Sequence, residues 1–315
     1  MNSIYMAFIF AITSSLILGK AVIPILKRMK FGQSIRELGP QSHLVKTGTP
    51  TMGGFIFLSG LMCTLALFLN FSVGTGIFLI ATLGLGLVGF LDDYLIILRK
   101  TNLGLTAKQK IFGQLIVAVI VTVLCSIYFG TSMRLPFTEI MFDLGWFYYP
   151  FMTVFLLAIA NGVNLTDGVD GLCGTVTFFN MSFYTVALIL LGMTDLALAA
   201  VALAGGLVGY VYYNKYPAKV FMGDLGSLAL GGAIGSLAMM SGLVFFVPIV
   251  GIIYVIETLS VMIQVTYFKK TKKRVFKMAP YHHHLELSGY KENKIVLIFS
   301  FITGMMGVVA YFALI

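Results

Sequence analysis

The chain has 315 residues, of which 59% are hydrophobic and only 10% are charged. Soluble domains have roughly 45–50% apolar and about 25% charged residues, so this composition excludes a large water-soluble core and indicates a protein that lies in a bilayer. The net charge of +9 does not indicate nucleic-acid binding, because basic loops at a membrane face favour anionic lipid headgroups and anionic substrates.

Apolar segments recur along the whole chain. A membrane-spanning helix needs about 20 apolar residues, within a range of about 17–25. We therefore predict an all-α polytopic membrane protein in which one transmembrane domain covers residues 1–315. The ten predicted spans are 4–26, 53–69, 74–98, 109–129, 147–161, 173–192, 195–214, 226–241, 244–267 and 295–315.

Basic residues are distributed unequally between the two sides of the predicted bundle. If the N-terminus lies outside, 19 of the 21 Lys and Arg residues fall in or beside the inward loops. Cytoplasmic loops carry an excess of Lys and Arg, so the inward side is predicted to be the cytoplasm. An even number of spans then places both termini outside.

Acidic residues gather on the same inner side. An ionisable group at membrane depth costs about 2.5–3.5 kcal/mol on insertion scales. Several carboxylates at one membrane face therefore indicate a bound cation or a functional site. The five that fall at the inner ends of spans or in the adjoining loops are Asp92, Asp93, Asp167, Asp170 and Asp224.

Asp92 and Asp93 end the third predicted span. Neighbouring residues on a helix point about 100° apart, so the two carboxylates would serve different partners, such as a metal and a substrate. The alternative is a helix end in water, but two carboxylates there oppose the helix dipole. We favour a functional site.

A second polar segment follows the fifth span. Asn161, Asn164, Asp167 and Asp170 recur at every third position, which keeps them near one side of a helical or turn-rich segment. Amides and carboxylates together suit a ribose, a sugar or a hydrated metal. The alternative is a turn rich in Asn, Asp and Gly.

A third segment runs from Asn214 to Ser227. Asp224 precedes a span, where it could cap a helix or bind magnesium, which prefers one or two carboxylates plus substrate phosphates. Phe221 could stack on a base or anchor the loop at the interface.

Two further loops carry groups that suit anions. His282, His283 and His284 are consecutive, so a regular helix could not direct all three at one metal, but a loop could present one or two of them to phosphate. Lys46 lies in a loop rich in threonine and glycine that could cradle an anion, although its spacing does not match a phosphate-binding loop.

Acids, lysines and histidines together are what phosphoryl transfer requires, with a divalent cation to neutralise the anions.

The motifs together resemble the phospho-N-acetylmuramoyl-pentapeptide transferase family, within the superfamily of polyprenyl-phosphate N-acetylhexosamine-1-phosphate transferases. The resemblance extends over the full length. It is carried by KFGQSIRELGPQSHLVKTGTPTMGG, GFLDDY, NGVNLTDGVDG, NKYPAKVFMGDLGS, ETLSVMIQV and KMAPYHHHLELSGYKE.

This resemblance implies a catalytic domain in the bacterial cell membrane, with its active site at the cytoplasmic face. The implied reaction transfers phospho-MurNAc-pentapeptide from UDP-MurNAc-pentapeptide to undecaprenyl phosphate, giving lipid I and UMP. Magnesium (Mg2+) is the implied cofactor, and a homodimer of ten-helix protomers is the implied assembly.

The resemblance also implies roles for individual residues. Asp224 would bind magnesium, Asp92 or Asp93 would contact or deprotonate the acceptor phosphate, and Asp167 would line the same site, as would His282 and His283. The implied nucleotide- and sugar-binding residues are Lys46, Asn161, Asn164, Asp170, Asn214, Phe221 and His284. The chain departs from the family at Ile96, where a lysine is common.

Two alternative functions and the role of one acid inside a span must also be considered. A sibling enzyme that uses UDP-GlcNAc fits the same motifs. A transporter fits less well, because transporters place polar groups near the bilayer midplane and only Glu257 lies well inside a predicted span. We predict a structural role for Glu257, either paired with a neighbour such as Gln264 or Thr258 or kept protonated.

Single cysteines in a cysteine-free background test the predicted orientation. Ser132→Cys and Thr194→Cys lie in outer loops and should react with an impermeant maleimide in intact cells. Thr101→Cys and Thr271→Cys lie in inner loops and should react only after permeabilisation. Labelling of Thr271→Cys in intact cells would show that the orientation is inverted.

Overall fold

The computed structural model describes residues 2–29, 48–69, 71–99 and 104–315, and it is almost entirely helical. Nine of the described helices are long and apolar enough to cross a membrane, and the shorter apolar helix Gly54–Phe68 makes ten. This confirms the predicted all-α polytopic class. The helices are α1 Asn2–Arg28, α2 Gly54–Phe68, α3 Val73–Arg99, α4 Ala107–Phe129, α5 Tyr148–Thr166, α6 Leu172–Leu190, α7 Thr194–Asn214, α8 Gly223–Met240, α9 Val247–Val250, α10 Ile252–Thr271, α11 Tyr281–Glu286 and α12 Glu292–Leu314.

The ninth predicted span is not continuous. Residues 244–267 were expected to form one helix, but a 3-10 turn at Val244–Phe246 and the short α9 precede the break at Gly251. Pro248 lies in the first turn of α9, where a missing N–H is tolerated. The spanning helix α10 begins only at Ile252 and continues to Thr271, so it extends beyond the predicted end.

Helices α7 and α8 form the centre of the bundle. An 18-residue stretch of α8 is 89% buried and one of α7 is 83% buried, whereas the corresponding values for α1, α4 and α12 are 28%. The surrounding helices therefore present apolar side chains outward, as a helix facing lipid does.

Helix α3 packs closely on the start of α8 because Gly89 has no side chain. A Cβ at Gly89 would overlap the backbone carbonyl of Asp224. Gly223, which begins α8, has φ +76°, a left-handed conformation that favours glycine. These two glycines bring the acidic end of α3 against the first turn of α8.

A small antiparallel hairpin lies at the opposite end of α8. Strands β1 (Ser132–Arg134) and β2 (Met141–Asp143) connect α4 to α5. The Arg134 N–H donates to the Gly242 carbonyl at 2.9 Å. Hydrogen bonds from the Thr131 hydroxyl and the Gly145 N–H to Asp143 lower the pKa of this exposed carboxyl, which agrees with a solvated loop residue.

Candidate active site

One lysine joins two of the predicted acids. The Lys110 ammonium, in the first turn of α4, donates to Asp224 Oδ2 and lies 3.2 Å from Asp92 Oδ2. A further hydrogen bond of 2.6 Å from the Leu105 N–H holds Asp92 Oδ1. The ends of α3, α4 and α8 therefore meet at a cluster of charges that are only partly open to solvent.

Asp93 points away from that lysine and into the start of α8. Its Oδ2 accepts a hydrogen bond of 3.1 Å from the Leu225 N–H, and the Asp224 N–H donates to the same carboxyl. The first N–H groups of a helix have no partner within the helix, so Asp93 caps α8 from a neighbouring helix. The adjacent acids Asp92 and Asp93 thus have different partners, as the helical spacing predicts.

The two asparagines of α5 face the same cluster. Asn164 Nδ2 donates to Asp224 Oδ1 and to the Ser227 hydroxyl, both at 2.8 Å. One turn earlier, Asn161 Nδ2 donates to Gln114 Oε1 at 2.8 Å. Asn164 thus fixes Asp224 from one side, while Asn161 joins α5 to α4 through Gln114.

Asp167 directly follows α5 and faces the other acids. The Gly223 N–H donates to its carboxyl. Burial, followed by the nearby negative charges of Asp224 and Asp93, raises the pKa of Asp167 well above its ordinary value. The carboxyl group therefore holds its proton to a higher pH than a free aspartic acid does.

Asp170 and Asn214 brace the loop between α7 and α8. Asp170 Oδ2 accepts a hydrogen bond of 3.0 Å from the Ala218 N–H. Asn214 Oδ1 accepts one of 2.9 Å from the Gly171 N–H, and its Nδ2 donates to the Val220 carbonyl at 2.9 Å. Both side chains are buried. The structure gives them a loop-bracing role, and their predicted contact with substrate stays a prediction.

Two hydrogen bonds fix the backbone of Phe221, and its side chain is half-buried. Its N–H donates to the Pro50 carbonyl at 2.8 Å, and its carbonyl accepts from the Gly53 N–H at 2.7 Å. The segment before α2 thus runs beside the start of α8. The predicted anion ligand Lys46 lies outside the described residues.

Each of the three histidines has its own partner. His282 is fully buried, and its Nδ1 lies 3.1 Å from Glu257 Oε2. His283 Nδ1 lies 2.7 Å from Glu286 Oε2. His284 Nδ1 accepts a hydrogen bond of 3.1 Å from the Lys277 N–H. Nδ1 of each ring therefore has a different partner, although the His282 and His283 ring centroids lie only 4.1 Å apart.

The partner predicted for Glu257 was wrong. Its carboxylate accepts hydrogen bonds from the His282 N–H at 3.2 and 3.4 Å, whereas Gln264 accepts from the backbone near Phe276. The predicted partners were Thr258, the next residue, and Gln264, about two turns further along α10. The acid instead accepts from the start of α11, 25 residues further on. The His282 ring in turn lies against Gly168, where a Cβ would overlap it, so this pair connects α10 to the Asp167 loop.

Sequence analysis missed Lys110 and Gln114. Lys110 was counted only as a basic residue that sets orientation. It nevertheless lies inside the predicted span 109–129, and an ionisable group within a span is a signal of function. Gln114 lies one turn further along the same helix face.

The charged groups offer a divalent cation two carboxylates, and substrate phosphates would complete its shell. No group of three or more His, Cys, Asp and Glu side chains within residues 2–29, 48–69, 71–99 and 104–315 is arranged to hold a metal ion. Asp224 and Asp92 nevertheless lie side by side on Lys110, and the side chain of Asp224 is 27% exposed. Magnesium requires only one or two carboxylates when substrate phosphates complete its shell.

The fold and the site define a polytopic membrane protein of the class described as glycosyl transferase family 4, whose family model matches residues 75–242. A protein of Thermoanaerobacter sp. (strain X514) is 43% identical over 314 residues, which cover 100% of this chain and 99% of the relative. A protein of Carboxydothermus hydrogenoformans is 47% identical over 94% of each chain, and one of Desulforamulus reducens is 47% identical over 93% of this chain and 91% of the relative.

All three relatives are named phospho-N-acetylmuramoyl-pentapeptide-transferase. The chain belongs to this family, as the resemblance of its motifs implied.

Substitutions at Glu257 test its structural role. Glu257→Gln retains an oxygen that can accept from the His282 N–H, so it should keep most of the turnover per folded molecule. Glu257→Leu leaves that buried N–H without an acceptor, which should lower the free energy of unfolding by about 1–3 kcal/mol. Thermal unfolding in detergent measures the stability of each variant, and a turnover assay measures its activity. Leu259→Ala, at an exposed position of the same helix, is the control for both measurements. A folded but inactive Glu257→Gln would place this acid in the chemistry.

Proposed function

We propose that this enzyme transfers phospho-MurNAc-pentapeptide from UDP-MurNAc-pentapeptide to undecaprenyl phosphate, giving lipid I and UMP for peptidoglycan synthesis. The observation that carries the proposal is identity of 43–47% over nearly the whole chain to enzymes with that name. The cluster of Lys110, Asp92 and Asp224 supplies the charged groups that such a reaction needs.

The reaction exchanges one pyrophosphate bond for another. An oxygen of the acceptor phosphate forms a bond to the sugar-bound phosphorus of the donor, and the bond from that phosphorus to UMP breaks. Both substrates are anions, so most of the catalysis consists of positioning and of neutralising charge.

The cofactor in this proposal is magnesium. Asp224 would hold it, with Asp92 beside it, and donor phosphates would complete its shell. When bound, magnesium neutralises the charge that develops on the phosphate oxygens. Asn164 keeps Asp224 Oδ1 in place through its 2.8 Å hydrogen bond, so the carboxylate is oriented before any cation arrives.

The acceptor would approach from the bilayer. Asp92 and Asp93 are near the end of α3, which is a spanning helix, so a lipid phosphate at the membrane edge could reach this region. In our proposal Asp92 or Asp93 contacts the acceptor phosphate or takes a proton from it. Asp93 has a second role, since it caps the helix that carries Asp224.

The donor would lie on the side of the loops. Asp167 directly follows α5 beside the other acids and would line this side of the site. His284 lies on α11, and its Nε2 could contact a donor phosphate while its Nδ1 accepts from the Lys277 N–H. His283, on the same helix, would line this side of the site. Phe221 would stack on the uracil base.

The proposed location is the bacterial cell membrane, with the site at the cytoplasmic face. The excess of basic residues on that side supports this orientation, and a water-soluble nucleotide donor would be available there. The proposed assembly is a homodimer, as the family resemblance implies.

Two alternatives are less favoured. A sibling transferase that uses UDP-GlcNAc shares the acidic motifs, but the relatives with the same full-length match carry the muramoyl-pentapeptide name. A transporter would need its polar groups near the midplane, whereas these acids lie at or beside the ends of α3, α5 and α8.

A product assay tests the proposed substrates. Purified enzyme with undecaprenyl phosphate and magnesium should release UMP from UDP-MurNAc-pentapeptide and form a lipid-soluble product. With UDP-GlcNAc, the parent enzyme should form product no faster than the Asp224→Asn variant does with UDP-MurNAc-pentapeptide. Mass spectrometry of the lipid and quantification of UMP report the outcome. Faster turnover of UDP-GlcNAc would assign the chain to the sibling activity.

The magnesium dependence of the rate separates the roles of the acids. Asp224→Asn removes a charged ligand, so the magnesium concentration for half-maximal rate should rise by about tenfold or more, or activity should be lost. Asp93→Asn retains an acceptor for the Leu225 N–H and should lower the maximal rate without changing that concentration. Binding of manganese to each folded variant provides the control. Loss of manganese binding in Asp93→Asn but not in Asp224→Asn would reverse the assignment.

A further inference from the structure

Lys110 occupies the oxygen that a divalent cation on Asp224 would need. Its ammonium donates to Asp224 Oδ2 and also lies 3.2 Å from Asp92 Oδ2. Two positive charges on one carboxylate oxygen repel each other strongly in a partly buried site. Lys110 and a divalent cation would therefore compete for this oxygen.

We propose that Lys110 is a resident counter-ion that competes with the divalent cation for Asp224, and that it moves to the donor phosphates when the cation binds. This inference rests on the proposed function and extends it to the control of metal binding. The lysine partly balances the charge of the two acids between turnovers and raises the concentration of metal that the site requires.

The surrounding side chains determine where Lys110 can move. Gln114 lies one turn further along α4, is fully buried, and is hydrogen-bonded to Asn161. These two side chains occupy the buried side of α4 next to Lys110. The Lys110 side chain is 18% exposed and the Asp224 side chain is 27% exposed, so the open direction is outward from the cleft, where donor phosphates would lie.

The movement requires only the side chain. Thr106 and Gln109 form a capping box that fixes the first turn of α4, so the backbone at Lys110 is held in place. A lysine side chain has four flexible methylene groups and a rotatable ammonium. It can therefore leave one anionic partner and reach another without a change in the helix.

Removal of Lys110 should have opposite effects on metal affinity and on turnover. Without the lysine, the carboxylates of Asp92 and Asp224 repel each other and lose their cation, so the site should bind a divalent cation more tightly. The same change removes the positive charge that would contact the donor phosphates, so turnover should fall. A lysine with a purely structural role would not tighten metal binding.

Manganese titration of substrate-free protein tests the competition. The proteins are the full-length parent, Lys110→Met and Lys110→Gln, each in nanodiscs. The control is Lys108→Met, because Lys108 lies in the same turn of α4 and is exposed to solvent. The free Mn2+ signal in electron paramagnetic resonance gives the affinity, and size-exclusion chromatography with thermal unfolding confirms that each variant is folded.

We expect Lys110→Met to bind Mn2+ about tenfold more tightly than the parent and Lys108→Met to match the parent. At saturating magnesium, Lys110→Met should lose at least about 100-fold in turnover, while Lys108→Met should retain it. Unchanged or weaker Mn2+ binding in both folded Lys110 variants would overturn the competition. Tighter binding with full turnover would overturn the transfer of Lys110 to the phosphates.

The two measurements also distinguish this inference from the proposed function. If the parent forms lipid product but Lys110→Met binds Mn2+ no more tightly, the competition is wrong and the activity stands. If no UDP-sugar gives product with the parent, the activity is wrong, and the competition is still decided by the titration.

Discussion

The collection of several carboxylates in one partly buried cluster is the constraint on which the site depends. Charges of one sign in a partly dry cleft repel one another and lose hydration, so each acid needs a fixed partner. The structure supplies these partners from different elements: Lys110 for Asp92 and Asp224, the first amides of α8 for Asp93, and the Gly223 N–H for Asp167. The close approach of α3 to α8 at Gly89 makes this arrangement possible.

This distribution explains how one site can accept anions despite its own negative charge. The ammonium of Lys110 makes the cluster less repulsive than its carboxylates alone would be. The amide of Asn164 and the helix start at Gly223 add donors that do not depend on protonation. The electrostatic character of the cleft therefore comes from backbone and amide dipoles as much as from ionised side chains.

The sequence predicted the spans and the grouping of the acids because both depend on local patterns. Long apolar segments have few alternatives to helices in a membrane, and the positive-inside rule placed the acidic loops together. The partners of Lys110 and Glu257 could not be predicted, because each contact joins residues far apart in the chain: 114 positions for Lys110 and Asp224, and 25 for Glu257 and His282. The break at Gly251 was missed because the apolar pattern continues through it.

The separate anchoring of the three histidines has a practical consequence for purification. A nickel resin retains a protein when neighbouring imidazoles can ligate one metal ion together. Here His282 is enclosed, and Nδ1 of each of the three rings lies against its own partner. The internal triplet therefore should not act as an affinity tag while the chain is folded, and retention on such a resin would instead reveal protein whose α11 segment has come away from α10.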